Sequence, residues 1–166
     1  MIEMFRCIAA DPPWDERGGC GRGTGNHYST MSVPDIAKTM LRAPCWRPAE
    51  SCHLWVWATM SHLPGALSVM DALGFRYVTH GVWVKPSFGM GRYMRGQHEL
   101  FLLGTRGDAC VPEHAPPSIV LAPKGAHSEK PAAAYALFEQ VSPGPRLEMF
   151  ARAERPGWVV WGDEAP

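Results

Sequence analysis

The chain has 166 residues, 46% of them hydrophobic, with sixteen basic and sixteen acidic side chains and no formal net charge. That length fits one domain burying roughly two-thirds of the surface its unfolded chain exposes, and the neutral balance excludes holding nucleic acid by diffuse electrostatics alone. No apolar run reaches membrane-spanning length, no signal peptide opens the chain, and the five cysteines at 7, 20, 45, 52 and 110 form no CxxC pair, so reduced thiols in a cytoplasmic protein are expected.

Phe5–Ala10 reads as a strand and runs directly into Asp11-Pro12-Pro13-Trp14. The Asp11 carboxylate accepts hydrogen bonds, and each proline stiffens the loop and removes an N–H, so the loop carbonyls are expected to stay free as acceptors. Trp14 offers a face on which a base stacks, worth about 1–3 kcal/mol. Together these residues predict a rigid clamp for an amino group on a flat ring. The glycine-rich stretch from Asp15 to His27 reads as a loop beside the clamp, and its spacing never meets GxGxxG.

Ser32-Val33-Pro34-Asp35 opens a helix, with Ser32 as cap, Pro34 in the first turn and Ile36, Met40 and Leu41 as its buried stripe. A strand follows at Cys52–Ala58, then a helix over Pro64–Leu73 with Ala66, Leu67 and Met70 as apolar positions, stopped by Gly74. Further strands are predicted at Arg76–Lys85, His98–Gly104, Ser118–Leu121, Leu147–Ala151 and Trp158–Gly162, and a third helix at Pro131–Val141 with Tyr135, Leu137 and Phe138 inward. The strands are near-continuous apolar runs alternating with helices, which predicts a mainly parallel α/β sheet covered on both faces. Between two strands, Lys85, Arg92 and Arg95 form the one dense cationic cluster and are candidate phosphate contacts. No metal is expected: Cys45, Cys52 and His53 lack a fourth ligand at usable spacing, and His53 and His62 read as polar surface or helix-end groups.

These motifs, in this order, resemble one family. Ala10-Asp11-Pro12-Pro13-Trp14 followed by His27-Tyr28-Ser29-Thr30-Met31-Ser32 is similar to the MT-A family of adenine-N6 methyltransferases, relatives of the seventy-kilodalton mRNA adenosine methyltransferase subunit. Leu54-Trp55-Val56-Trp57, Trp83-Val84-Lys85, His127-Ser128-Glu129-Lys130-Pro131, the segment from Pro143 to Arg152 and Trp161-Gly162-Asp163-Glu164 agree in turn.

The resemblance implies a single domain with a Rossmann-like methyltransferase fold in permuted motif order, without a separate target-recognition domain. It implies S-adenosylmethionine as cofactor and a 6-amino group of adenine in nucleic acid as target. Asp11, Pro12, Pro13 and Trp14 are then the catalytic positions, with the Pro12 carbonyl sharing the amino protons, and Tyr28 lies near the target base. Asp11, Lys130, Glu148, Arg152, Asp163 and Glu164 are carried over as cofactor-binding positions, Arg152 at the ribose. Gln97 stands where relatives carry a lysine, and Asp163 where asparagine is usual. With ten residues ahead of Asp11, the upstream acidic contact to the cofactor adenine is expected to be absent or replaced. DNA is expected over RNA, a non-catalytic nucleic-acid-binding partner subunit being a further alternative, and a two-fold dimer would double the basic patch along one strand.

Overall fold

A computed structural model describes residues 4–15, 30–89, 93–125 and 129–162. The apolar runs form seven strands, β1 (Phe5–Ala10), β2 (Pro48–Ala58), β3 (Arg76–Val84), β4 (His98–Arg106), β5 (Ile119–Leu121), β6 (Arg146–Met149) and β7 (Val159–Trp161), with helices α1 (Val33–Arg42), α2 (Leu63–Ala72) and α3 (Ala132–Val141). They make one sheet in the order β5-β3-β4-β2-β1-β6-β7. Only β4 runs against its neighbours, so the expected mainly parallel α/β architecture is present.

Successive side chains of a strand point to opposite faces, and here both faces are covered. Ile8, Ala10, Leu54, Val56, Leu100 and Leu102 pack with Ile36 and Met40 of α1 and Ala66, Val69 and Met70 of α2. Cys7, Ala9, Trp55, Trp57, Phe101 and Leu103 pack on the other side with Tyr135, Phe138 and Val141 of α3. Burying each such aliphatic or aromatic side chain contributes about 1.5–3 kcal/mol. The second layer is aromatic: Phe138 stacks on Trp55 with ring centroids 4.4 Å apart. Gly81 makes this layer possible, because a Cβ there would lie 2.1 Å from the Phe101 ring of the paired strand.

Ser32 caps α1 as expected, its hydroxyl accepting from the Asp35 N–H at 3.4 Å and donating to the Asp35 carboxylate at 2.6 Å. Three expectations fail. Leu41 and Leu67 are exposed, because the stripe of each ten-residue helix is narrow and is already filled by Ile36 and Met40, and by Ala66, Val69 and Met70. β2 starts at Pro48, four residues before the predicted Cys52; the Phe5 N–H donates to the Arg47 carbonyl at 2.8 Å and draws that polar stretch alongside β1. His53 is buried rather than on the surface. Its Nδ1 lies 2.9 Å from the Ser142 hydroxyl, which also accepts from Trp55 Nε1 at 2.9 Å.

The described cysteines 7, 45, 52 and 110 are free. Burial pushes the Cys7 and Cys52 thiols up to about 12, which leaves them unreactive core groups. No helix among the described residues is long and apolar enough to cross a membrane.

Candidate active site

Because β4 alone is reversed, the carboxyl ends of six strands and the amino end of β4 share one edge of the sheet. From β1 the chain passes through α1 on one face to β2, while β6 is reached from α3 on the other face. The strand order therefore reverses between β1 and β6, and α/β sheets bind ligands in the crevice outside such a switch point. Asp11 leaves β1 there, its N–H donating to the Met149 carbonyl of β6 at 3.4 Å. Phe150, the next residue after β6, has φ 60°, a left-handed conformation that is costly for a residue with a Cβ.

The loop from Asp11 to Trp14 is braced by hydrogen bonds to the carbonyls that were expected to stay free. The Pro12 carbonyl accepts the Trp14 N–H at 2.9 Å and the Pro13 carbonyl accepts the Met31 N–H at 2.8 Å, so neither is free; Pro12 keeps its second lone pair. Trp14 is a core residue whose Nε1–H donates to the Trp57 carbonyl at 2.9 Å. Its ring stacks on His62, centroids 5.5 Å apart and planes 19° apart. The freely offered stacking face is thus absent: the apolar ring is better buried beside β2 than exposed. His62 is indeed at a helix end, before α2. Its Nε2 lies 3.2 Å from the Asp15 carbonyl, which only accepts, so Nε2 carries the hydrogen and Nδ1 accepts the Thr59 hydroxyl at 2.7 Å.

Beside the clamp lies a chain of alternating charges. Lys130 Nζ donates to Asp11 Oδ2 at 2.7 Å and lies 3.5 Å from Glu99 Oε2; their side chains are 9%, 18% and 17% exposed. Glu99 also pairs with Lys85. Burial alone would lower the Lys130 pKa, but Asp11 and Glu99 outweigh it and hold the ammonium charged. Burial alone would raise Glu99, and Lys130 and Lys85 reverse that, keeping it below the usual carboxylate range. The Lys130 ammonium lies 5.4 Å from the centre of the Trp57 ring, whose buried Nε1–H has no partner among the described residues.

Lys85 is therefore not the free phosphate contact expected from its charge: Glu99 neutralises it and the Trp83 ring, 4.6 Å away, covers it. Arg95 is exposed over Phe88. Gln97 enters through its backbone, its carbonyl accepting the Lys85 N–H at 2.7 Å. Glu148 is buried with both oxygens engaged, Oε1 by the Tyr135 hydroxyl at 2.5 Å and Oε2 by Arg155 Nε at 2.9 Å. The Arg155 guanidinium also lies 3.3 Å over the Tyr135 ring. Glu148 thus stands in a structural cluster and not open to a ligand. Arg152 is half-buried and close enough to act electrostatically on Lys130.

Tyr28, Arg92, Asp163 and Glu164 lie outside the described residues. Among the described residues no three His, Cys, Asp or Glu side chains converge as a metal site. Glu99 and Arg155 went unread from the sequence, and His62 and Tyr135 were read only as a helix-end group and a core residue. The signal for Glu99 was there, an acid at the amino end of an apolar strand, but its place in the site depends on that strand's reversed direction.

Residues 5–164 match the family model described as MT-A70. The chain is 29% identical to the type II methyltransferase M.MunI of a Mycoplasma species over 99% of this chain and 79% of that protein. It is 27% identical to the human N(6)-adenine-specific methyltransferase METTL4 over 98% of this chain and 38% of the relative. It is 25% identical to a putative N(6)-adenosine-methyltransferase MT-A70-like protein of Medicago truncatula, over 99% of this chain but only 27% of the relative.

Proposed function

The chain belongs to the MT-A70 family, and from that premise we propose that it transfers a methyl group from S-adenosylmethionine to the 6-amino group of adenine in nucleic acid. One observation carries the reading: the carboxylate of Asp11 stands at the switch point of the sheet, on a braced proline loop, with the Lys130 ammonium 2.7 Å away.

The donor set suits the cofactor. An amino-acid end carries both an ammonium and a carboxylate, and Asp11, Lys130 and the half-buried Arg152 bring an anion and cations to the same crevice. The family expectation for Glu148 is weaker, since Tyr135 and Arg155 occupy its oxygens. When bound, S-adenosylmethionine supplies a methyl group on a sulfonium, an electrophile for an attacking nitrogen.

The residues of this chain have to raise the reactivity of that nitrogen, whose lone pair is delocalised into the adenine ring. Asp11 accepts one amino N–H and the second lone pair of the Pro12 carbonyl accepts the other. These acceptors would stabilise the positive charge that grows on the nitrogen as it is methylated. Lys130 fixes the carboxylate for this, and the Trp14 stack on His62 fixes the loop. By fixing the amino group between them, Asp11 and the Pro12 carbonyl would also supply a proximity contribution. The N–H proton held by Asp11 would then pass to that carboxylate and on to water, leaving the methylated nitrogen neutral.

DNA is the substrate we favour. The chain covers four-fifths of the mycoplasma type II methyltransferase but about a quarter of the plant relative whose name specifies adenosine, a ribonucleoside. RNA is the second reading. Transfer of tritiated methyl to single-stranded DNA, duplex DNA and RNA of one sequence decides between them, and label in none of the three would overturn the assignment.

A further inference from the structure

The segment joining β3 to β4 carries side chains that nothing in the site explains. It leaves the sheet at the same edge as Asp11, pinned by the Lys85 N–H to the Gln97 carbonyl and by the Gly89 N–H to the Gly96 carbonyl, each 2.7 Å. Between these pins one side of the arm holds Pro86, Ser87 and Phe88 and the other side no residue, so Phe88 sits on an outward bulge. Phe88 is 60% exposed, Met94 76%, and Tyr93 fully. Large apolar side chains do lie singly on surfaces, but three on one short arm beside a cleft are unusual for a solvated loop.

The arm is also held to the catalytic loop. Gly96 lies against Met60, where a Cβ would come within 2.6 Å of the methionine methyl. Met60 opens the turn that ends in His62, and His62 stacks on Trp14. The Arg95 guanidinium lies 5.1 Å from the centre of the Phe88 ring, which pairs an aromatic face with a cation.

We propose that this arm is a base-stacking wedge: Phe88, Tyr93 and Met94 enter the stack of duplex DNA next to the target adenine, with Arg95 on the adjacent phosphate, and hold open the gap its extrusion leaves. The inference rests on the adenine-methyltransferase reading above. Its chemistry is that of apolar and aromatic side chains that unstack a base step from outside, applied where a paired base has to leave the helix to reach Asp11. Nucleic acid suits the arm better than a protein partner because a cation accompanies the aromatic face and the arm borders the clamp.

The test compares wild type with Phe88→Ala/Tyr93→Ala on two substrates of one sequence, single-stranded DNA and duplex. Both replaced side chains are exposed, and far-ultraviolet circular dichroism checks the fold. The wedge predicts that methylation of duplex falls about tenfold or more while that of single strands changes less than about twofold. It also predicts that 2-aminopurine at the target position brightens in duplex with wild type and less with the variant. Equal losses on both substrates, or no loss on duplex, would overturn the wedge and leave the methyltransferase reading standing. A change in mass by light scattering would assign the arm to a protein contact and overturn it too. Wild type inactive on every adenine polymer would remove both.

Discussion

Lys130 and Asp11 are 119 residues apart in sequence and 2.7 Å apart in space, one preceding α3 and the other leaving β1. Among the described residues the ammonium pairs with Asp11 and is shared with Glu99. Lys130→Met therefore leaves two largely buried carboxylates facing each other. Removing one partner of a buried pair costs about 3–5 kcal/mol; the residual exposure of Asp11 and Glu99 puts the expected loss near the lower end, about 3 kcal/mol, measured by urea unfolding. Adding Glu99→Gln to Lys130→Met is expected to recover part of it, a non-additivity that a double-mutant cycle reads directly.

Trp14→Ala is expected to act on the fold. It opens a cavity under the clamp, costing about 3–5 kcal/mol, and leaves the Trp57 carbonyl without its donor. Trp14→Phe keeps a ring beside His62 and loses the hydrogen bond and part of the buried ring, a smaller cost of about 1–2 kcal/mol. Thermal unfolding separates the two variants. Trp14→Ala with unchanged stability and selectively weakened substrate binding would restore the role of an exposed base-stacking face.

Stability carries a histidine signature. Burial depresses the His53 pKa below its ordinary value, so the unfolded chain takes up a proton before the folded one does. Stability is then full above the unfolded histidine value of about 6.5 and is lost as pH falls through it towards the folded value. Glu99 acts lower: held below the usual carboxylate range, its contribution is present above that range and lost as pH falls through it. Urea midpoints between pH 7.5 and 5.5 are expected to fall in wild type and to flatten in His53→Gln.

Glu148 is expected to be a stability residue before it is a ligand. Tyr135→Phe removes the hydroxyl that donates to Glu148 at 2.5 Å, and a hydrogen bond to a charged group contributes about 1.5–3 kcal/mol. Urea unfolding measures the loss, while titration with S-adenosylhomocysteine is expected to change by less than tenfold.

How much of this was legible beforehand follows from what each feature depends on. The strands were readable because both of their faces are buried, giving near-continuous apolar runs such as Ile8-Ala9-Ala10 and Leu54-Trp55-Val56-Trp57. Ser32 and Pro34 marked α1 because capping is local chemistry. The polar start of β2 was missed, since its pairing depends on a backbone bond from Phe5 to Arg47. Asp11 was readable as a motif. Glu99 was not, because nothing local to His98-Glu99 reports that β4 runs backwards. Lys85 was misread as a free cation for the same reason, its neutralising partner lying across the pair β3–β4.

The central claim is that Asp11 does the chemistry of adenine methylation. It is tested most directly by transfer of tritiated methyl from S-adenosylmethionine to an adenine-containing oligonucleotide, comparing wild type with Asp11→Ala and Asp11→Asn. The account predicts label on the adenine 6-amino group with wild type and a loss of about a hundredfold or more in both variants, with S-adenosylhomocysteine still stabilising the folded protein. Asp11→Ala that is folded and transfers methyl at a rate near wild type would contradict it.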